Sequence, residues 1–264
     1  MTNEAASLSV RGLGVSVPGR TLVENLDIEL ARGQFTVVLG KNGTGKTLTL
    51  HTLAGLRAPA GGTIKLGDKD LSALPRRELA RQLALLPQDA DDVFPTTVFD
   101  AALMGRHPHV GRFSLESRTD RDATLAALER VGLGAMANRD LDTLSGGERR
   151  RLGIAQTLTQ APDFYLLDEP TNHLDPQHQL ETLDLYRELV AQGACVIATM
   201  HDVNLAARFA NNCLLLYGDG RWAYGPTNDV LSAESLSDLF DVRMETLAWE
   251  GQSLFIPATP ASSG

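Results

Sequence analysis

Apolar positions along the chain fall into short continuous runs separated by amphipathic stretches. The runs are "FTVVLG" from residue 35, "TIKLG" from 63, "LALLP" from 83, "FYLLDEP" from 164, "ACVIATMHD" from 194 and "CLLLY" from 213. Val, Ile and Leu occupy both parities of the alternation, the pattern of strands covered on both faces. Between them lie helix-period stretches, "RRELARQL" from 76, "DRDATLAALERVG" from 120 and "PQHQLETLDLYRELVAQG" from 176. The last opens on Pro176 and is followed by Gly193, which suits helix entry and exit. Strands separated by helices predict an α/β fold with a mostly parallel sheet. Two regions break the rhythm. Residues from about 89 to 160 read as a mostly helical insert, and the first 34 residues read as short antiparallel strands containing no aromatic residue. The tail "PATPASSG" has the composition of a disordered segment.

At 264 residues, core size does not limit the fold. No apolar run approaches the ~20 residues of a membrane-spanning helix, so no direct membrane insertion is expected. The N-terminus "MTNEAASLSV" lacks the basic start and apolar stretch of an export signal. Cys195 and Cys213, the only cysteines, sit in strand-like runs without metal or disulfide spacing and read as reduced core residues. A net charge of −9 disfavours a nucleic-acid partner and adhesion to anionic lipid. A membrane role would therefore run through a protein partner.

Chemistry concentrates in two glycine-containing turns. "GKNGTGKT" at 40–47 fits G-x-x-x-x-G-K-[ST] and lies between a strand and a helix, the context the motif requires. The expected nucleotide-binding residues are Gly40, Lys41, Asn42, Gly43, Thr44, Gly45, Lys46, Thr47 and Leu48. Backbone N–H groups and the helix start would cradle phosphates, Lys46 would neutralise them, and the Thr47 hydroxyl would bind Mg²⁺. Asp168 and Glu169 end the strand "FYLLDEP", where such sheets gather ligands. Asp168 is expected in the Mg²⁺ shell and Glu169 against the attacking water. His201 closes the next strand and is expected at the γ-phosphate. The second turn, "LSGGERRR" from 144, offers Ser145, Gly146, Gly147 and Glu148 at a helix start. A helix cap explains its serine but not its arginines, which oppose the helix dipole.

With Gln88 in "LLPQ", "TNHLD" at 171–175 and "MHD" at 200–202, these motifs stand in an order that resembles the ATP-binding subunits of ABC transporters over nearly the whole chain. The resemblance implies a P-loop NTPase, RecA-like parallel-sheet core at 35–88 and 161–242. It adds an antiparallel β part at 1–34 and about 60–70, a helical subdomain at about 89–160 and a C-terminal extension at 243–264. It implies ATP and Mg²⁺ as ligands, with Gln88 reaching Mg²⁺ or water. It further implies a head-to-tail homodimer in which Ser145, Gly146, Gly147 and Glu148 complete the partner's site and Asp175 lies at the seam. Two transmembrane permease subunits would dock on the insert at the cytoplasmic face of a bacterial inner membrane, with a periplasmic binding protein as an indirect partner. The stretch 96–114 looks like that of importers for iron-siderophores, haem and cobalamin. The alternatives are a soluble ATPase of iron–sulfur assembly and an exporter subunit. Val17 stands where the family has an adenine-stacking aromatic, which predicts weak discrimination between bases. Lys41 replaces a usual proline, and Thr47 and Glu148 replace the commoner Ser and Gln.

Overall fold

The computed structural model describes residues 7–88, 96–111 and 114–258. The N-terminal alternation folds as a hairpin. Strand β1 (Leu8–Val17) and strand β2 (Arg20–Leu30) pair antiparallel around Pro18 and Gly19, with alternating side chains buried. Strands β3 (Phe35–Leu39), β4 (Gly61–Leu66) and β5 (Lys69–Asp70) follow, with helix α1 (Lys46–Leu53) after β3. β4 and β5 join the hairpin in a four-stranded sheet of order β2-β1-β4-β5.

The fully apolar runs build the second sheet. β3, β6 (Leu83–Leu86), β7 (Phe164–Asp168), β8 (Cys195–Thr199), β9 (Asn212–Leu216) and β10 (Trp222–Pro226) assemble in the order β10-β9-β3-β8-β7-β6. Only β10 runs antiparallel to its neighbour in this sheet. Every residue of β3, β7 and β8 is buried because both faces are covered. Phe164 and Leu166 pack towards the antiparallel sheet, whereas Tyr165 and Leu167 pack into the larger core with the helical part. Cys195 and Cys213 fall in different cores, and burial pushes their thiols up to about 12 and about 11. Both are free and buried.

Helix α2 (Arg76–Gln82) precedes β6, while α3 (Val98–Leu103), α4 (Arg118–Arg130) and α5 (Gly146–Gln160) form the helical region. The start of the expected insert, residues 89–95, lies outside the described residues. Helix α6 (Pro176–Ala191) begins as its sequence predicts, with Asp175 at the N-cap and proline in the first turn. Helices α7 (Val203–Phe209), α8 (Thr227–Val230) and α9 (Ala233–Phe240) follow, then a hairpin of β11 (Met244–Trp249) and β12 (Gln252–Pro257). Asn204 on α7 brackets Phe255, donating to its carbonyl at 3.2 Å and accepting its N–H at 2.8 Å. β12 extends through Pro257, the first residue of the tail expected to be disordered; 259–264 lie outside the described residues. Among the described residues no helix is long and apolar enough to cross a membrane.

The arginines that a helix cap leaves unexplained have packing reasons. Arg151 donates to the Val131 carbonyl at 3.1 Å and Arg149 to the Leu144 carbonyl at 3.3 Å. Arg150 is buried and donates to the carbonyls of Pro87, Gln88, Asp168 and Pro170, so α5 is tied to the ends of both β6 and β7. Arg150→Met keeps the stem but orphans these carbonyls. It should lower unfolding free energy by about 2–4 kcal/mol, read from the urea midpoint; a change below about 0.5 kcal/mol would contradict the clamp.

Helix α4 carries a titratable device. Asp120 accepts hydrogen bonds from the Ser117 hydroxyl, from Arg106 at 2.7 Å and from the Ser117 N–H, which hold its carboxyl down at about 2. A depressed carboxyl contributes stability that is present above the unfolded value near ~4 and is lost as pH falls through about 2. Asp120→Asn should therefore be less stable than wild type at pH 7, and the gap should close between about pH 4 and pH 2 in urea titrations. A gap independent of pH would exclude the charge as its cause.

Candidate active site

The glycine-rich loop joins β3 to α1 at the C-terminal edge of the parallel sheet. Gly45 takes φ 100°, a conformation that strains any side chain, and a Cβ there would press on Leu22 at 3.1 Å. Lys46 is buried and turns back along the loop, donating to the carbonyls of Gly40 at 2.8 Å and Lys41 at 3.1 Å. Burial pushes its ammonium below the usual lysine range, against the opposing pull of the Glu169 and Asp168 carboxylates.

A cavity of about 640 Å³ opens at this loop. Asn42, Gly43, Gly45, Lys46, Thr47 and Leu48 line one part of it, and Gln88, Glu169, Asn172 and His201 another. Val17, Arg20 and Leu22 of the hairpin complete it. Gly40, Lys41 and Thr44 do not line it. Lys41 forms an ion pair with Asp241, so its side-chain charge is engaged away from the cavity, and the Thr44 hydroxyl donates to the Lys41 carbonyl at 2.9 Å.

The acidic pair is held by β8. Asp168 and Thr199 are register partners on adjacent strands, and the Thr199 hydroxyl donates to Asp168 Oδ1 at 2.6 Å. Asp168 Oδ2 is buried with no hydrogen-bond partner among the described residues. Glu169 adopts a left-handed backbone (φ 50°), costly for a non-glycine residue, and its N–H donates to Thr199 Oγ1 at 2.9 Å. That turn aims the carboxylate at the cavity. Oε1 lies 2.6 Å from His201 Nε2; Oε2 accepts from Asn172 at 3.1 Å and from Gln88 at 3.3 Å. Gln88, Glu169 and His201, far apart in sequence, thus meet at the mouth of the loop.

Ser145, Gly146, Gly147, Glu148 and Asp175 are not brought to this cavity. Ser145 caps α5, its N–H and hydroxyl both reaching Glu148 Oε2 at 2.7 Å, while the Glu148 N–H returns to Ser145 Oγ at 3.3 Å. The Ser145 hydroxyl and N–H hold the Glu148 carboxyl below its ordinary value. Gly147 faces the carbonyl of His173, in the loop that leads to Asp175. Asp175 accepts the His178 N–H at 3.0 Å and pairs with the His178 ring at 2.7 Å.

Thr199, Asn172 and Arg20 are contributors that sequence reasoning missed. Asn172 sits within "TNHLD", and Thr199 lies two residues before His201, but only strand register places Thr199 against Asp168.

The family model described as ABC transporter matches residues 23–172, more than half of the chain. The chain belongs to the ABC transporter family. A hemin import ATP-binding protein of Rhodopseudomonas palustris (strain HaA2) is 38% identical over 248 residues, covering 91% of this chain and 92% of that one. A ferric enterobactin transport ATP-binding protein of Escherichia coli (strain K12) is 35% identical, covering 92% of this chain and 90% of that one. Among solved structures, an ABC transporter assigned to the metal-chelate type, in an inward-facing conformation, matches with TM-score 0.83 at 30% identity, covering 97% of this chain and 98% of that one. The fold is accordingly that of a P-loop NTPase, and this ABC protein is an ATPase.

The Thr199 hydroxyl of this ABC protein holds both acidic residues, donating to the Asp168 carboxylate and accepting the Glu169 backbone N–H. Thr199→Val preserves shape but removes the hydroxyl from Asp168 and Glu169. ATP turnover should fall about 10–100-fold, the usual loss when a group orienting a ligand-binding carboxylate is removed, with KM for ATP within about threefold. Steady-state phosphate release measures both. An unchanged kcat would show that Thr199 positions neither Asp168 nor the Glu169 backbone for catalysis.

Proposed function

We propose that this ATPase powers import of an iron-siderophore, haem or cobalamin. Two copies would associate head to tail on two transmembrane permease subunits at the cytoplasmic face of a bacterial inner membrane, served by a periplasmic binding protein. The import class rests on relatives named for hemin import and ferric enterobactin transport. Those names do not favour the iron–sulfur assembly and exporter alternatives. The observation that carries the mechanism is the Glu169 carboxylate, turned into the P-loop cavity by its left-handed backbone and held there by His201, Gln88 and Asn172.

In this reading the loop amides and Lys46 bind the β- and γ-phosphates. The residues present fit Mg²⁺: Asp168 Oδ2 is a buried carboxylate oxygen still seeking a partner, and Thr47 and Gln88 add the oxygen ligands that a hard cation prefers. When bound, Mg²⁺ would neutralise charge on the phosphate oxygens. Glu169 orients the attacking water and takes its proton. His201, 2.6 Å from Glu169, fixes that carboxylate and contacts the γ-phosphate. Ser145, Gly146, Gly147 and Glu148 lie off the cavity and are assigned to the partner copy's nucleotide, with Asp175 at the seam.

Glu169→Gln tests both halves of the proposal. With ATP and Mg²⁺ the variant should bind nucleotide, elute as a dimer in size-exclusion light scattering, and hydrolyse at least about 100-fold more slowly, the scale of a general base. Wild-type turnover would remove Glu169 from its role. A protein that stays monomeric with ATP bound would remove the shared site.

A further inference from the structure

We propose that Arg20 is the platform on which the nucleotide base stacks, making it a base-binding residue of the ATP site. The inference deepens the reading of the same cavity and rests on it. Among the described residues the hairpin end of the cavity offers no aromatic ring: its side chains are Val17, Arg20 and Leu22. Val17 and Arg20 are direct partners across the turn at Pro18 and Gly19, and directly opposed residues of an antiparallel pair project to the same face. Both therefore reach the cavity together, one as an aliphatic wall and the other as a planar cation.

The Arg20 guanidinium is held in position although it is solvent-exposed. Its Nε and Nη2 both donate to the Gly218 carbonyl, at 3.0 and 2.7 Å. Gly218 has φ 80°, and a Cβ there would sit 3.0 Å from Arg20 Nη2 and 2.9 Å from Thr44 Cα. A glycine thus leaves room for the guanidinium between the hairpin and the P-loop. The anchor engages two of the five N–H groups of the fork by one edge. Edge anchoring fixes the plane and leaves its faces open. A guanidinium is weakly hydrated and stacks readily on π-systems, bases included. Stacking reads the π-face that every base presents, so ATP and GTP should be served alike. The anchor occupies the Nε–Nη2 edge, one of the two edges that could grip an anion in bidentate fashion, so tripolyphosphate is the probe that separates stacking from phosphate binding.

The test compares ATP, GTP and inorganic tripolyphosphate, each with Mg²⁺, by isothermal titration of wild type, Arg20→Ala, Arg20→Lys and Arg20→Tyr. Tripolyphosphate reports the P-loop without the base. Arg20→Ala should weaken ATP and GTP about 10–30-fold, within the range for losing one stacked base, and leave tripolyphosphate within about twofold. Arg20→Lys, which keeps charge without a plane, should be as weak as Arg20→Ala. Arg20→Tyr should return both nucleotides to within about threefold of wild type. A parallel loss of tripolyphosphate, unchanged nucleotide affinity in Arg20→Ala, or rescue by Lys and not Tyr would overturn the proposal. Tripolyphosphate binding by Arg20→Ala doubles as the check that the variant is folded. If wild type bound none of the three, or Lys46→Ala bound them as wild type does, the nucleotide site itself would fall. Failure confined to the Arg20 series would leave that site standing.

Discussion

A charge taken out of water must be solvated by the protein, and at Arg150 this requirement organises the site. The guanidinium is buried on α5, and its donors reach backbone carbonyls at the ends of β6 and β7 and at Pro170. An uncompensated buried cation costs several kcal/mol. The two chain segments that satisfy it and the helix that carries it are therefore not free to shift independently. Those segments carry Gln88, Asp168 with Glu169, and the α5 start with Ser145. One side chain ties the Gln88 segment, the acidic strand end and the helix that opens on the second glycine turn together.

Much of the fold could be read from parity. Four of the apolar runs became interior strands of the larger sheet because both faces are covered and "LALLP" became its edge, whereas "TIKLG" joined the N-terminal alternation in the antiparallel sheet as β4. The P-loop, the acidic pair and His201 were legible because each motif fixes its chemistry within a few consecutive residues. Contacts that depend on register or long closure were not. Thr199 meets Asp168 across 31 residues, and Arg20 meets Gly218 across 198; neither leaves a local pattern. The arginines of α5 looked wrong for a helix start because only the dipole was visible, whereas they reach backbone carbonyls at the strand ends (Arg150), at the end of α4 (Arg151) and just before α5 (Arg149).

Lys41 shows the same limit from the other side. In sequence it adds a cation to the phosphate loop; in space its charge is matched by Asp241, a residue with left-handed backbone after α9. Exposed pairs of this kind contribute little stability. Its consequence is directional: the side chain is led away from the cavity, and Lys46 is left as the lysine of the loop that lines it. Asn204 ties the hairpin β11–β12 to the helix that follows His201. The last strands of the chain are thus attached to elements that carry the site.

The second glycine turn now has a physical place. Ser145 and Glu148 satisfy each other, so the α5 start is a finished cap needing no ligand of its own to be stable. What it retains is a helix N-terminus with two glycines, where a backbone can approach an anion closely. Gly147 abuts His173, and the same short loop begins at Glu169 and ends at Asp175. In the proposed two-copy arrangement an anion from the partner, arriving at Gly146 and Gly147, would press on the loop whose other end holds the carboxylate facing this copy's own nucleotide. Coupling between two ATP sites then requires no long pathway, because the residues separating the two functions lie within one turn of chain.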